Sequence, residues 1–206
     1  MLFMVKKITS VDIYNFLLSK YKQGWWNSDP YRVMIESVLV QNTTWNSVIK
    51  AEKLFKGLLS PKWIENIDDN VFADLIISCR YSRVKTQTIK KLTVWYKQYD
   101  YNYKKVIKKT TDEIREELLN IKGIGPETAD DILVYAFNKP SFIIDAYTRR
   151  LLVKLVFNFT NDKEIRAFLV KDIPVDAKVY GYYHGAILQY YKDIKDGNAD
   201  IFIKKY

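Results

Sequence analysis

Apolar residues fall on helical spacing through nearly all of this 206-residue chain, and only seven glycines and five prolines are available to break the pattern. Ala129, Ile132, Leu133, Ala136 and Phe137 lie at i, i+3, i+4, i+7 and i+8, one apolar face of a helix opened by Pro126 and ended by Asn138-Lys-Pro140. Similar spacing predicts helices over residues 10–18, 31–39, 45–59, 72–78, 85–99, 110–119, 145–157, 162–170 and 175–192. Ser10 reads as the cap of the first, Pro30 opens the second, and Ser60-Pro61 stops the third. Thr110 and Glu113 have capping-box spacing, which anchors the start of their helix. No repeat, low-complexity tract or obvious linker interrupts the series. The fold class is therefore all-α, in a chain long enough for one or two small domains with a real apolar core.

Cys79 is the only cysteine and His184 the only histidine. A disulfide within the chain, a thiolate or imidazole metal cluster and an iron–sulfur cluster are all excluded by count. A serine or cysteine hydrolase would have to rest on His184, in a tyrosine-rich helical segment that offers few partners. No apolar run is long enough to span a membrane, and Met1-Leu-Phe-Met-Val5 runs straight into Lys6 and Lys7 without a signal-peptide layout. The expectation is a cytoplasmic protein with no membrane partner, nucleoid-associated in a prokaryote. A net charge of +9 points to a polyanion, with a solvated lysine surface as the other reading. The 16 tyrosines and five tryptophans suit base stacking, and suit an ordinary core equally well.

The stretch Ile121-Lys-Gly-Ile-Gly-Pro-Glu-Thr-Ala-Asp-Asp-Ile-Leu133 puts a tight corner between two helices. Gly123 and Gly125 permit positive φ and leave backbone amides uncovered by any Cβ. With the free N–H groups that open the Pro126 helix, those amides make a site for an anion such as a DNA phosphate, a contact that positions without reading sequence. A helix–helix corner with no ligand fits the same residues.

Four segments in matching order resemble the helix–hairpin–helix, Gly/Pro-rich, Asp family of DNA glycosylases, the endonuclease III superfamily. Residues 121–129 are similar to its hairpin motif. Ile143-Ile-Asp-Ala-Tyr-Thr-Arg-Arg150 is similar to the segment bearing its catalytic aspartate, with Asp145 twenty residues after Gly125 as that family requires. Val38-Leu-Val-Gln-Asn-Thr43 resembles the helix end whose glutamine enters DNA, and Cys79-Arg-Tyr-Ser-Arg-Val-Lys85 the loop contacting the strand around the lesion. The resemblance covers roughly residues 25 to 190. It implies two helical lobes: residues 1–31 with 135–206, and residues 32–134 carrying the hairpin at about 111–137. It also implies DNA contacts from Gln41, Asn42, Arg80, Tyr81, Arg83, Lys122, Gly123, Gly125, Glu127 and Thr128.

Departures from the family narrow the branch. Where bifunctional members carry the lysine that forms a Schiff base, this chain has Glu127, and a carboxylate forms no imine. The four cluster-binding cysteines of many relatives are missing. Ser37 stands where the adenine-mismatch branch has its acid, with Glu36 about 100° away round the helix. Gly24-Trp-Trp-Asn27, Gln41-Asn-Thr-Thr-Trp45 and Tyr183-His-Gly185 instead resemble the cluster-free 3-methyladenine DNA glycosylases. That resemblance implies a base pocket walled by Trp25, Trp26 and Trp45, with His184 nearby; core packing is the other reading of each. A stacked alkylated purine is cationic, so aromatic rings attract it, by roughly 0.5–2 kcal/mol per good contact.

The expected activity is monofunctional base excision on damaged double-stranded DNA by a monomer. Asp145 would stabilise an oxocarbenium-like sugar and orient or deprotonate water. Asp145 also reads as a plain helix cap, a role compatible with catalysis. No metal ligand or cofactor is expected, beyond a structural monovalent cation that the hairpin could hold. The rival readings are a glycosylase for uracil or mismatched pyrimidines and a non-catalytic helix–hairpin–helix DNA-binding module.

Overall fold

The computed structural model describes residues 8–21 and 29–199, and among them there are twelve α-helices and no strand. The helices are α1 Ser10–Lys20, α2 Pro30–Leu39, α3 Trp45–Leu54, α4 Pro61–Asn66, α5 Asp69–Leu75 and α6 Ser82–Lys97. They continue as α7 Tyr103–Val106, α8 Thr111–Leu119, α9 Pro126–Asp131, α10 Ala146–Lys154, α11 Asp162–Leu169 and α12 Ala177–Lys195. A 3₁₀ turn, Ile77–Cys79, precedes α6, and a π-helical turn, Ile132–Ala136, extends α9. The chain divides into two compact units, one ending at Ser141 and the other joining the N-terminal segment to everything from Phe142 onward. That division falls later than the 134/135 boundary implied by the family resemblance. None of the described helices is long and apolar enough to cross a membrane.

The middle unit is built round α2. Asp29 caps it by accepting from the Tyr31 amide at 3.0 Å, and Pro30 occupies the first turn, where a missing N–H is harmless. Val33, Met34, Ile35, Val38 and Leu39 are all buried, and the helix packs on α6 and on the π-helical turn. An aromatic trio of Phe55, Trp63 and Phe72, with centroids 5.6–5.8 Å apart, joins the end of α3 to α4 and α5. The hairpin helix α9 is locked from below. Asp130, 1% exposed, accepts from Arg115 Nε at 2.8 Å and Ser141 Oγ at 2.6 Å, which ties α9 to α8 and to the segment leaving it.

The other unit packs α1, α10, α11 and α12 around Ile13, Leu17, Phe142, Leu151, Tyr183 and Tyr190. Each such side chain contributes about 1.5–3 kcal/mol on burial. Tyr183 meets Phe142 and Tyr14 edge to face at 5.3 and 5.2 Å, which fixes the inner face of α12.

The helix ends depart from their sequence-based limits for local reasons. Thr9, not Ser10, caps α1 in a capping box with Asp12, and Ser10 turns inward to donate to Leu169 O at 2.5 Å. Helix α3 stops at Leu54 because Lys56 and Gly57 take left-handed φ values of 49° and 77°. Helix α6 starts three residues early, at Ser82, directly after the left-handed Tyr81. The short α4 and α7 were too brief to show a period.

Candidate active site

Three segments of the middle unit gather the residues expected at DNA. The first is the turn after α2. Gln41 sits just past its end, and Nε2 donates to Gly123 O at 3.1 Å and Thr128 Oγ1 at 2.8 Å, so this side chain is fastened to the hairpin. Asn42 follows in the left-handed region, φ 52°. Trp45 opens α3 and is 42% exposed, so ordinary core packing does not account for it. Trp25 and Trp26 lie outside the described residues.

The second is the turn before α6. Arg80 and Tyr81 take φ values of 59° and 46°, consecutive left-handed residues without a glycine. Tyr81 is 66% exposed and is flanked by exposed Ile77, Arg83 and Val84. An exposed aromatic ring and two exposed arginines thus lie within four consecutive residues.

The third is the hairpin. Lys122, Gly123, Gly125 and Glu127 are exposed, whereas Thr128 is buried. Gly123 has φ 103°, and a Cβ there would stand 2.0 Å from Thr88 Oγ1. Only glycine fits this close approach to α6, and the requirement fixes the corner's shape. Gly125 serves differently: a Cβ there would meet nothing within 4 Å, so its openness leaves the backbone approachable.

In the other unit, Asp145 is the N-cap of α10 and is 6% exposed. One carboxylate oxygen accepts from the Thr148 amide at 2.7 Å. The other lies 3.6 Å from His184 Nε2 on α12, too far for a strong hydrogen bond and close enough for a direct charge interaction when the imidazole is protonated. Burial alone would raise the Asp145 pKa, but His184 and then Thr148 outweigh it and leave the carboxyl below its ordinary value. The cap and the charged-carboxylate readings therefore coincide in one side chain. This pairing of Asp145 with His184 was not visible in the sequence, where nothing couples residues on different helices.

Two further charged residues of the middle unit have surroundings that the sequence did not reveal. Glu36 is 5% exposed and shares Arg32 with Glu52, Arg32 Nε lying 2.9 Å from each carboxylate. Burial first, then the neighbouring Glu52, pushes Glu36 up to about 7 despite the arginine. Its carboxylate is thus committed to α3, and Ser37 donates to Val33 O at 2.9 Å within its own helix. The second is Lys85, wholly interior although lysine normally reads as surface.

Residues 35–174 match the family model described as HhH-GPD superfamily base excision DNA repair protein. The chain is 35% identical over 190 residues to a protein of Methanocaldococcus jannaschii provisionally named as a DNA repair glycosylase, covering 87% of this chain and 86% of that one. Its fold is similar to that of the H. pylori 3-methyladenine DNA glycosylase bound to 1,N6-ethenoadenine, with a TM-score of 0.78 at 24% identity over 91% of this chain and 99% of that one. It is also similar to endonuclease III trapped in a covalent complex with DNA, with a TM-score of 0.72 at 22% identity over 89% and 86% of the two chains.

Proposed function

The chain belongs to the HhH-GPD superfamily of base excision DNA repair proteins, and we propose that within it this protein is a monofunctional DNA glycosylase for alkylated purines such as 3-methyladenine. The observation that carries this reading is a buried carboxylate at Asp145 that accepts from the Thr148 amide and faces His184, together with Glu127 exposed in the first turn of α9 where bifunctional relatives place an amine. An ionised carboxylate stabilises positive charge on a sugar and offers no proton to a leaving base. A base that already carries positive charge needs none.

In the proposed reaction the hairpin amides with Lys122, Arg80 and Arg83 grip phosphates. Gln41 and Tyr81 enter the stack and the damaged nucleotide turns out, at a cost of a few kcal/mol that damage lowers. The aromatic residues Trp25, Trp26 and Trp45 receive the base. As the glycosidic bond breaks, its electron pair goes to the base and cancels the base's charge. Asp145 stabilises the oxocarbenium-like sugar, water adds at C1′, and its proton passes to Asp145 or to solvent. His184 and the Thr148 amide favour the ionised form of Asp145 until then. The products are the free base and an abasic site in an intact strand. No metal or organic cofactor enters the step, a monovalent cation at the hairpin being structural, and the protein acts as a monomer.

Glu127 cannot become an imine, so the strand stays whole. The test is release of free base from methylated duplex, run beside uracil-containing duplex, with strand integrity checked before alkali and borohydride present in a parallel sample. Release of 3-methyladenine with intact strands and no trapped adduct is expected. A borohydride-trapped adduct would overturn monofunctionality, and uracil release without 3-methyladenine release would overturn the lesion class.

A further inference from the structure

Lys85 carries an ammonium into the interior of its unit. The residue is 3% exposed, and Nζ donates to Leu39 O at 2.8 Å, Gln41 O at 2.7 Å and Cys79 O at 2.6 Å. An ammonium has three N–H donors and no acceptor, so three carbonyls satisfy it completely. Burial pulls its pKa down, and the three carbonyl oxygens supply the polar contacts that an interior ammonium requires. Leu39 ends α2 and Cys79 ends the 3₁₀ turn, so two helix C-termini converge on one charge. Their last carbonyls lack intrahelical partners and carry the negative end of the helix dipole.

The segments so joined are the two turns that would enter DNA. Gln41 O lies on the peptide plane leading into Asn42, and Cys79 O on the plane leading into Arg80. Asn42, Arg80 and Tyr81 are all left-handed without being glycine. Such conformations persist only where the surroundings over-determine them. One buried lysine anchors the entry to both.

We propose that Lys85 is a positioning residue whose single ammonium joins the Gln41–Asn42 turn to the Arg80–Tyr81 turn, so that the two enter a duplex as one rigid element when a damaged nucleotide is unstacked. The proposal rests on the reading of these turns as DNA-entering.

The first measurement is native-state hydrogen exchange on the unmodified protein. The hydrogen-bonded amides of Gln41 and Thr43 should open together with those of Cys79 and Arg80, sharing one denaturant dependence; independent opening overturns the joint. Lys85→Met, of similar length but without charge, should raise exchange in both turns at once. Lys85→Gln, which keeps two donors, should give an intermediate rise.

The second measurement is single-turnover base release from methylated DNA, presented annealed or melted to single strands. Lys85→Met should lose about 100-fold on the duplex, as a small misplacement of positioning groups does, and much less on the single strand, where nothing has to be unstacked. Equal loss on both substrates would make Lys85 a stability residue only and overturn the positioning role. If the unmodified protein releases base from no DNA at all, the lesion reading fails while the exchange data still decide the joint.

Discussion

Asp145 keeps a negative charge where only 6% of the residue meets solvent because its two oxygens are served separately, one by the Thr148 amide and one by the nearby His184. Asparagine caps helices as well as aspartate does, so Asp145→Asn removes the charge and leaves the cap. Base release should then fall by about 10²–10³, the scale of losing one preorganised electrostatic contact, while the urea midpoint barely moves. Undiminished release would take Asp145 out of the mechanism. The lowered pKa has a signed consequence: a carboxyl depressed by folding stabilises the native state above its unfolded pKa, and that contribution disappears only as pH falls through the folded value. Any loss of activity between about pH 7 and pH 5 must therefore come from another group. Asp145 was singled out through the family resemblance of residues 143–150, and read without it the sequence offered only a helix cap. His184 lies 39 residues further on, and only the packing of α12 against α10 brings it close. Lys85 was illegible for a different reason: among 33 basic residues, nothing in its neighbours announces that one of them is interior.

Helices and turns were readable where a local signal sets them. Thr110 with Glu113 forms the anticipated capping box, and Pro126 opens α9 as expected. Ends set by tertiary contact were not readable, since the left-handed residues at Lys56 and Tyr81 are neither glycine nor asparagine. The hairpin corner joins both kinds of constraint. In Gly123→Ala a Cβ would lie 2.0 Å from Thr88 Oγ1 and 2.9 Å from its Cγ2, at φ 103°. A loss of about 2–4 kcal/mol in chemical denaturation should follow, from clash and backbone strain together. Adding Thr88→Ala should recover the part due to the clash and not the part due to φ; full recovery would show that the backbone is unstrained. Helix α2 carries a titrating element of its own. Glu36, raised by folding to about 7, binds a proton in the native state where the unfolded chain has released it. Its effect is favourable below the ordinary carboxylate pKa and is lost as pH rises through about 7. Glu36→Gln should flatten the fall of stability across that window and leave the protein more stable than the parent at pH above it. Parallel stability profiles for the two proteins would mean that Glu36 does not titrate there.

Across the whole molecule, the formal charge of +9 was the first sign of a polyanion partner, but composition alone could not say which cations would touch it. The structure leaves Arg80 and Lys122 exposed on turns and Arg83 exposed in the first turn of α6, and at Gly125 the hairpin backbone is open to approach. The aspartate proposed for the chemistry belongs to the other unit. Grip and chemistry should therefore separate on salt titration. Each phosphate neutralised by a cation releases counterions, giving a slope of about −0.9 per contact in log affinity against log salt. Three such contacts give a slope of about −2.7, which is a loss of roughly 40-fold in duplex affinity between about 50 and about 200 mM salt. Lys122→Ala should make the slope shallower by about one and weaken all duplexes alike, damaged or not. Asp145→Asn should leave the slope unchanged, because it removes no cation from the phosphate path. A steeper slope in the unmodified protein would mean that further lysines join the interface. A slope near zero would mean that the hairpin does not bind backbone, and affinity would then have to come from the flipped base alone. Binding to undamaged duplex distinguishes these cases, since a phosphate grip needs no lesion and a base pocket does.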